Sequence, residues 1–263
     1  MKPFIFSFLV FGLISCSSAD SVKPEMPGVY SMLSQTIDDG TDKTVLKDLK
    51  QLKIYTDDHF MYVQANESNS IYSFGLGTYS VNDSNYVLEN SIYSASDSIF
   101  NSDPRTYKLD ITTSIDGYRQ FIPEITIGGL KSTLTEEYRR SGTGTTTPLD
   151  GVWKETNFYI VNGNDTISNE RTQFKAFYDG YFMYGQYYTV DSIKQHKTGM
   201  GYGSFKMEND HQIMETDLNS SYSIVPGQIF TIEIEMMDEN HYKQTLTQKD
   251  GSKHIEVYEK LRK

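Results

Sequence analysis

Only one cysteine and one tryptophan occur among 263 residues, and basic residues are outnumbered: 24 Lys and Arg stand against 35 Asp and Glu, a formal net charge of −11. A lone Cys excludes an intramolecular disulfide and any Cys-rich metal site. The acidic balance argues against a nucleic-acid partner, because phosphate backbones are bound by clustered Lys and Arg that displace counterions. No apolar run is long enough to cross a bilayer. The run from Phe4 to Ile14, broken only by Ser7 and Gly12, is about half of the ~20 residues a spanning helix needs. With 37% hydrophobic and 22% charged residues, the chain is neither collagen-like nor a multi-span membrane protein, and it fits a globular one. What it has in quantity is aromatic: 20 Tyr and 14 Phe.

The N-terminus reads as an address. Met1 and Lys2 precede the short apolar run, which ends in Leu13-Ile14-Ser15-Cys16. That order (aliphatic, aliphatic, small, Cys) is similar to a bacterial lipobox, and the only Cys sits where lipidation requires it. Residues 1–15 are expected to be a lipoprotein signal peptide, with Cys16 the acylated residue and 16–27 a tether. Several acyl chains on one Cys, at ~0.8 kcal/mol per buried CH₂, would make membrane anchoring effectively permanent. Ser17 after the Cys resembles the outer-membrane sorting pattern, so the expected location is the outer membrane, on a face the sequence does not specify.

The rest of the chain repeats itself. Lys53 to Gln64 aligns with Lys175 to Gln186, with six of twelve positions identical. Gly28-Val29-Tyr30 matches Gly151-Val152-Trp153, Gly75-Leu76-Gly77 matches Gly201-Tyr202-Gly203, Val87-Leu88-Glu89 matches Ile213-Met214-Glu215, and Tyr118-Arg119-Gln120 matches Tyr242-Lys243-Gln244, all at offsets of 122 to 126. Collinear matches over this span mark a tandem duplication. The Gly/Thr-rich stretch from Ser141 to Pro148 contains no apolar residue and reads as a linker. The expected organisation is therefore one copy at 28–140, a linker at 141–150 and a second copy at 151–263.

Within each copy the hydrophobic period is two. Phe230, Ile232, Ile234 and Met236 share one strand face, and Thr231, Glu233 and Glu235 the other. Asn162-Gly163, Asp179-Gly180 and Asp250-Gly251 fall between such runs as hairpin turns. The second copy gives eight strands, near 151–161, 171–178, 181–189, 199–207, 211–219, 227–237, 241–249 and 253–262. The first gives the same eight, blurred around 91–107. Eight sequential antiparallel strands leave two open edges unless they close, so the expected class is all-β, two tandem eight-stranded up-and-down antiparallel barrels.

With Gly151-Val152-Trp153 opening the first strand, an eight-strand meander, and a last strand His254 to Lys260 carrying basic residues, each copy resembles the bacterial lipocalin-like (calycin) domains of outer-membrane lipoproteins. The resemblance implies that Trp153 packs against a basic residue of the last strand, Lys260 or Arg262, to close the narrow end of the barrel. In the first copy Tyr30 takes the place of Trp153, opposite Arg139 or Arg140. The mid-barrel Thr-Asp-Tyr signature of lipocalins has no match in either copy.

No catalytic constellation stands out. The five His residues show no metal-ligand spacing and read as solvated, and Gly-x-Ser-x-Gly is absent. No metal or cofactor is expected. Asp38-Asp39-Gly40 lacks the spaced ligands of a calcium loop and reads as a hairpin tip. Glu89 and Glu215 recur at equivalent positions, as surface residues by default or as internal hydrogen-bonded ones. Phe60, Tyr62 and Gln64 share a strand face, as do Phe182, Tyr184 and Gln186. Facing inward, Tyr62, Gln64, Tyr184 and Gln186, with Glu89 and Glu215, would place polar groups in an apolar ligand cavity. Facing outward, the stripes would meet another envelope component or a glycan. The expected function is that of a non-enzymatic envelope lipoprotein binding a small apolar or amphipathic molecule. The alternative is a structural or interaction module.

Overall fold

The computed structural model describes residues 25–263 apart from 67, 69, 83–85, 98, 128, 169–170, 191, 193–194 and 223. The expected signal peptide and Cys16 lie outside the described residues. Among those residues the regular elements are all strands: β1 (Gly28–Asp38), β2 (Lys43–Leu46), β3 (Leu49–Tyr55), β4 (His59–Asn66), β5 (Ile71–Val81), β6 (Tyr86–Ser96), β7 (Ile99–Asn101), β8 (Arg105–Ser114), β9 (Gly117–Ile127) and β10 (Leu130–Arg140), then β11 (Gly151–Asn162), β12 (Asp165–Ser168), β13 (Arg171–Tyr178), β14 (Tyr181–Val190), β15 (Gln195–Asn209), β16 (Gln212–Ser220), β17 (Ile229–Asp238), β18 (His241–Thr247) and β19 (Lys253–Lys260).

Each set closes on itself. β1 pairs with β10 from Tyr30↔Arg140 to Asp38↔Thr133, and β11 pairs with β19 from Trp153↔Lys260 to Val161↔Lys253. Between these closures the strands run antiparallel in chain order. β2 and β3 occupy successive stretches of β1, so they are two halves of one interrupted strand, and β12 and β13 repeat the arrangement on β11. β7 and β8 likewise share β6. Counted this way, the chain forms two closed eight-stranded antiparallel barrels in tandem, which fits a calycin-like arrangement. Even the bulges repeat: the closing pair slips at Met32/Ser34 in barrel 1 and at Glu155/Asn157 in barrel 2. A bulge in the first strand sharpens its coil where the barrel must turn.

Two glycines illustrate local fitting. A Cβ on Gly75 would lie 2.6 Å from the Tyr62 ring, and one on Gly201 would lie 2.5 Å from the Tyr184 ring. Each tyrosine is cross-strand partner to its glycine, and its ring lies over the bare backbone there. Glycine leaves room that any side chain would fill.

Three apolar clusters hold the molecule. One fills an end of barrel 1 around Tyr30, Tyr55, Phe60, Tyr118 and Tyr138. A second fills the same end of barrel 2 around Trp153, Phe177, Phe182, Tyr242 and Tyr258. The third joins the barrels: Ile54, Met61, Val63, Phe74 and Leu76 from the first meet Val152, Phe174, Ala176, Met183 and Met200 from the second. β3 and β13 therefore bury both faces, inward to their own barrel and outward to the other. The contact is aromatic, with Tyr93 and Phe174 centroids 4.8 Å apart and Phe100 stacked on Tyr187 at 5.2 Å. The link between the barrels is also tied down. The Thr143 amide donates to the Asp179 carbonyl (3.1 Å), and Leu149 is fully buried.

Candidate functional site: the barrel interiors

The floor of each barrel is built the same way. Trp153 is fully buried. Its Nε1 donates to the Leu149 carbonyl at 2.7 Å, its ring meets Tyr242 edge-on at 4.8 Å, and Tyr242 stacks on Tyr258 at 4.8 Å. Lys260 Nζ sits 5.2 Å from the indole centroid and donates to the Asp150 carbonyl at 2.7 Å. Arg262 lies past β19 and is exposed. In barrel 1 the Tyr30 hydroxyl donates to the Met26 carbonyl at 3.1 Å, the ring meets Tyr118 edge-on at 4.8 Å, and Tyr118 stacks on Tyr138. The Arg140 guanidinium lies 5.9 Å from the Tyr30 centroid. Its neighbour Arg139 is exposed. Met26, at the end of the expected tether range, is buried here.

Above each floor lies a polar layer repeated residue for residue. In barrel 2, Lys175 Nζ contacts Glu215 at 2.6 Å and donates to Gln244 Oε1 at 3.1 Å. Gln244 donates to Glu256 at 2.5 Å, Tyr258 donates to Glu256 at 2.6 Å, and Gln173 donates to Tyr258 at 2.5 Å. In barrel 1, Lys53 contacts Glu89 at 2.7 Å and Gln120 at 3.3 Å. Gln120 donates to Glu136 at 2.5 Å, Tyr138 donates to Glu136 at 2.8 Å, and Gln51 donates to Tyr138 at 2.5 Å. Glu89 and Glu215 are thus internal, not surface residues, each 6% exposed. Their lysines are just as deep, at 3%. A buried ion pair persists only where its remaining donors and acceptors are satisfied, and these networks supply the partners.

Barrel 2 adds a fork that barrel 1 lacks. Arg171 donates through Nε and Nη2 to Glu155 at 2.8 and 2.5 Å and through Nη2 to Glu256 at 2.7 Å. Its face covers Phe158, 3.8 Å from the ring centroid. At the corresponding positions barrel 1 carries Leu49 and Met32. Burial, together with repulsion from Glu256, pushes the Glu155 carboxyl up to about 6 despite Arg171. Glu256 is buried too, but Arg171 and Lys175 outweigh that and hold it below the ordinary range.

Beyond the polar layer the interiors differ in room. Barrel 2 holds a cavity of about 540 Å³, lined by Tyr184, Gln186, Asp217, Tyr222, Phe230, Ile232, Leu246 and His254 above Lys175, Glu215 and Glu256. Barrel 1 holds about 270 Å³, with Tyr62, Gln64, Glu89 and Glu136 among its walls. The Phe60-Tyr62-Gln64 and Phe182-Tyr184-Gln186 faces therefore point inward in both copies. An outward aromatic stripe at these positions is not what the fold builds. One histidine also departs from expectation: His59 is 2% exposed, with Nδ1 2.8 Å from Asp58 and a buried Nε2 that has no partner among the described residues.

No family model and no curated protein matches the chain. Among solved structures, a protein of unknown function from the DUF3598 family of Nostoc punctiforme aligns over 89% of this chain and 96% of its own, at 11% identity and a TM-score of 0.26. That similarity names neither a family nor a ligand.

The interior carboxyls make stability depend on pH in an unusual direction. Burial, chiefly, raises Glu136, Glu215 and Asp217 along with Glu155. A carboxyl raised on folding binds more protons in the native state than in the unfolded one, so stability falls as pH rises through its folded pKa. Asp217 and Glu155 both titrate at about 6, which places the change between pH 7 and 5. The melting temperature is expected to be higher at pH 5.5 than at pH 7.5 in thermal scans at constant ionic strength. A lower value at 5.5 contradicts the assignment.

Proposed function

We propose that this chain is a non-enzymatic envelope lipoprotein, anchored through Cys16 at the outer membrane, whose second barrel binds a small amphipathic molecule. The observation that carries the binding role is the cavity of about 540 Å³ in barrel 2, inside the ~300–1,000 Å³ range of small-molecule pockets. Its wall mixes aromatic and aliphatic side chains with a few convergent polar groups, the composition that orients a ligand while burying its apolar body. The lipobox-like Leu13-Ile14-Ser15-Cys16 supports the anchoring. The polar layers pair carboxylates with Lys and Arg through structural hydrogen bonds, which supports a non-catalytic interior.

The test uses the full mature chain carrying Cys16→Ser, which needs no detergent, and the neutral fluorophore N-phenyl-1-naphthylamine. Saturable binding at one site per chain is expected, and Ile224→Trp, at the cavity wall, should weaken it. Absence of saturable uptake, or uptake indifferent to Ile224→Trp, sinks the reading.

A further inference from the structure

The duplication supplies an internal control for what barrel 2 binds. In barrel 1 the polar side chains near the mouth satisfy one another: Gln64 donates to Gln51 at 3.0 Å and accepts from Ser73 at 3.4 Å. Its counterpart Gln186 donates to the Tyr222 hydroxyl, but its Oε1 is buried with no partner among the described residues. Turning the amide over would only exchange which end is unpaired. Gln186 is 4% exposed and lines the cavity, but its free Oε1 is itself shielded from that space.

Asp217 decides the sign of what is missing. It stands where barrel 1 has Ser91, is 4% exposed, and lines the cavity. No side-chain hydrogen bond or ion pair to its carboxylate occurs among the described residues. Both cations in the wall are already committed, Arg171 to Glu155 and Glu256 and Lys175 to Glu215. A carboxylate ligand would meet Asp217 as a like charge, and to reach Arg171 or Lys175 it would have to break one of those pairs. A cationic donor would break none, and it would give the Asp217 carboxylate a charge-assisted partner.

We propose that the ligand of barrel 2 carries a primary ammonium head that donates to Asp217, with an apolar body lying along Phe230, Ile232 and Leu246. This rests on the binding role proposed for the barrel and names the ligand's chemical class. Asp217 titrates at about 6, raised by burial and then by Glu215 against the pull of Lys175, so at neutral pH it is mostly charged and available to a cation. The cavity is equivalent to roughly 18 waters at their liquid volume, enough for a ten-carbon chain and its head group.

The experiment displaces N-phenyl-1-naphthylamine from the Cys16→Ser chain with decylammonium, 1-decanol and decanoate, each below its micellar concentration. Because charge-assisted hydrogen bonds are the stronger kind, decylammonium should compete about 10–100-fold better than 1-decanol, with decanoate weakest. Asp217→Asn should erase the advantage of decylammonium while leaving 1-decanol unchanged. That substitution removes no hydrogen bond of the fold, so the melting temperature should stay or rise, which a structural role for Asp217 would not allow. Equal competition by decanoate, or an ammonium preference that survives Asp217→Asn, overturns the ligand class and leaves the binding role standing. If the fluorophore itself does not bind, both fall.

Discussion

Trp153→Ala is expected to cost about 3–5 kcal/mol of stability, the range for deleting a buried large aromatic. The side chain is fully buried, so the loss combines area returned to water with a void that its neighbours fill only in part. Two further contacts disappear: the hydrogen bond to the Leu149 carbonyl and the Lys260 ammonium over the ring. The deletion leaves a buried carbonyl without a donor and a half-buried lysine without its aromatic face, at the end of the barrel where β11 closes on β19. Against the ~5–15 kcal/mol that holds a domain together, this is a large fraction. Tyr30→Ala in barrel 1 should cost less, because the ring is smaller and the hydrogen bond it loses is longer, at 3.1 Å. Urea unfolding followed by far-UV circular dichroism measures both. In the parent chain the lone Trp should emit to the blue and resist iodide quenching. Equal midpoints for Trp153→Ala and the parent would mean that the indole does not close this barrel.

The barrel itself was legible in the sequence because its signals are local. In the second copy, period-two runs alternate with Asn-Gly, Asp-Gly and similar turns, and each expected strand has an observed counterpart within a few residues. Around 91–107 in the first copy the signal blurs because Ser91, Ser94 and Ser96 leave β6 without a clear apolar period and the short β7 interrupts the hairpin. The polar interior was only half visible. Lys53 and Lys175 form one of the repeat's six identities, yet a lysine in a strand reads as solvent-facing until the strand on the far side of the barrel is known. Their partners Glu89 and Glu215 are 36 and 40 residues further along. Arg171, Glu155 and Glu256 come from three separate strands that only closure brings together.

The interface between the barrels was hidden for a different reason. Phe174, Ala176 and Met183 are outward-facing apolar residues on strands whose inward positions carry Gln173, Lys175, Tyr184 and Gln186. Alternation alone cannot say which face meets the barrel's own interior. The usual rule, apolar side inward, holds poorly here because the interior is partly polar and the exterior is covered by a second barrel. An unbroken buried run such as Gln51 to Tyr55 is what a strand covered on both faces shows.

The polar layer carries the second large effect. Lys175→Met should destabilise the protein by about 3–5 kcal/mol at neutral pH, because removing one partner of a buried pair leaves the other charge uncompensated. Methionine keeps most of the volume and the contacts with Phe177 and Phe182, whose ring centroids lie 4.9 and 5.3 Å from Nζ, so lost packing is a minor part. Glu215, already raised by burial against the pull of Lys175, would rise further without it. The deficit should therefore shrink as pH falls toward 5, since a protonated Glu215 no longer needs a counter-charge. Pairing the change with Glu215→Gln should recover most of the loss, a non-additivity that a double-mutant cycle reads directly. The remaining cost is assigned to Gln244, whose Oε1 loses its donor while its amide still holds Glu256. Urea midpoints at pH 7.5 and 5.5, read through Trp153 fluorescence, decide the matter. A loss that is independent of pH, or simple additivity with Glu215→Gln, would mean that Lys175 serves the barrel through its methylenes and not through its charge.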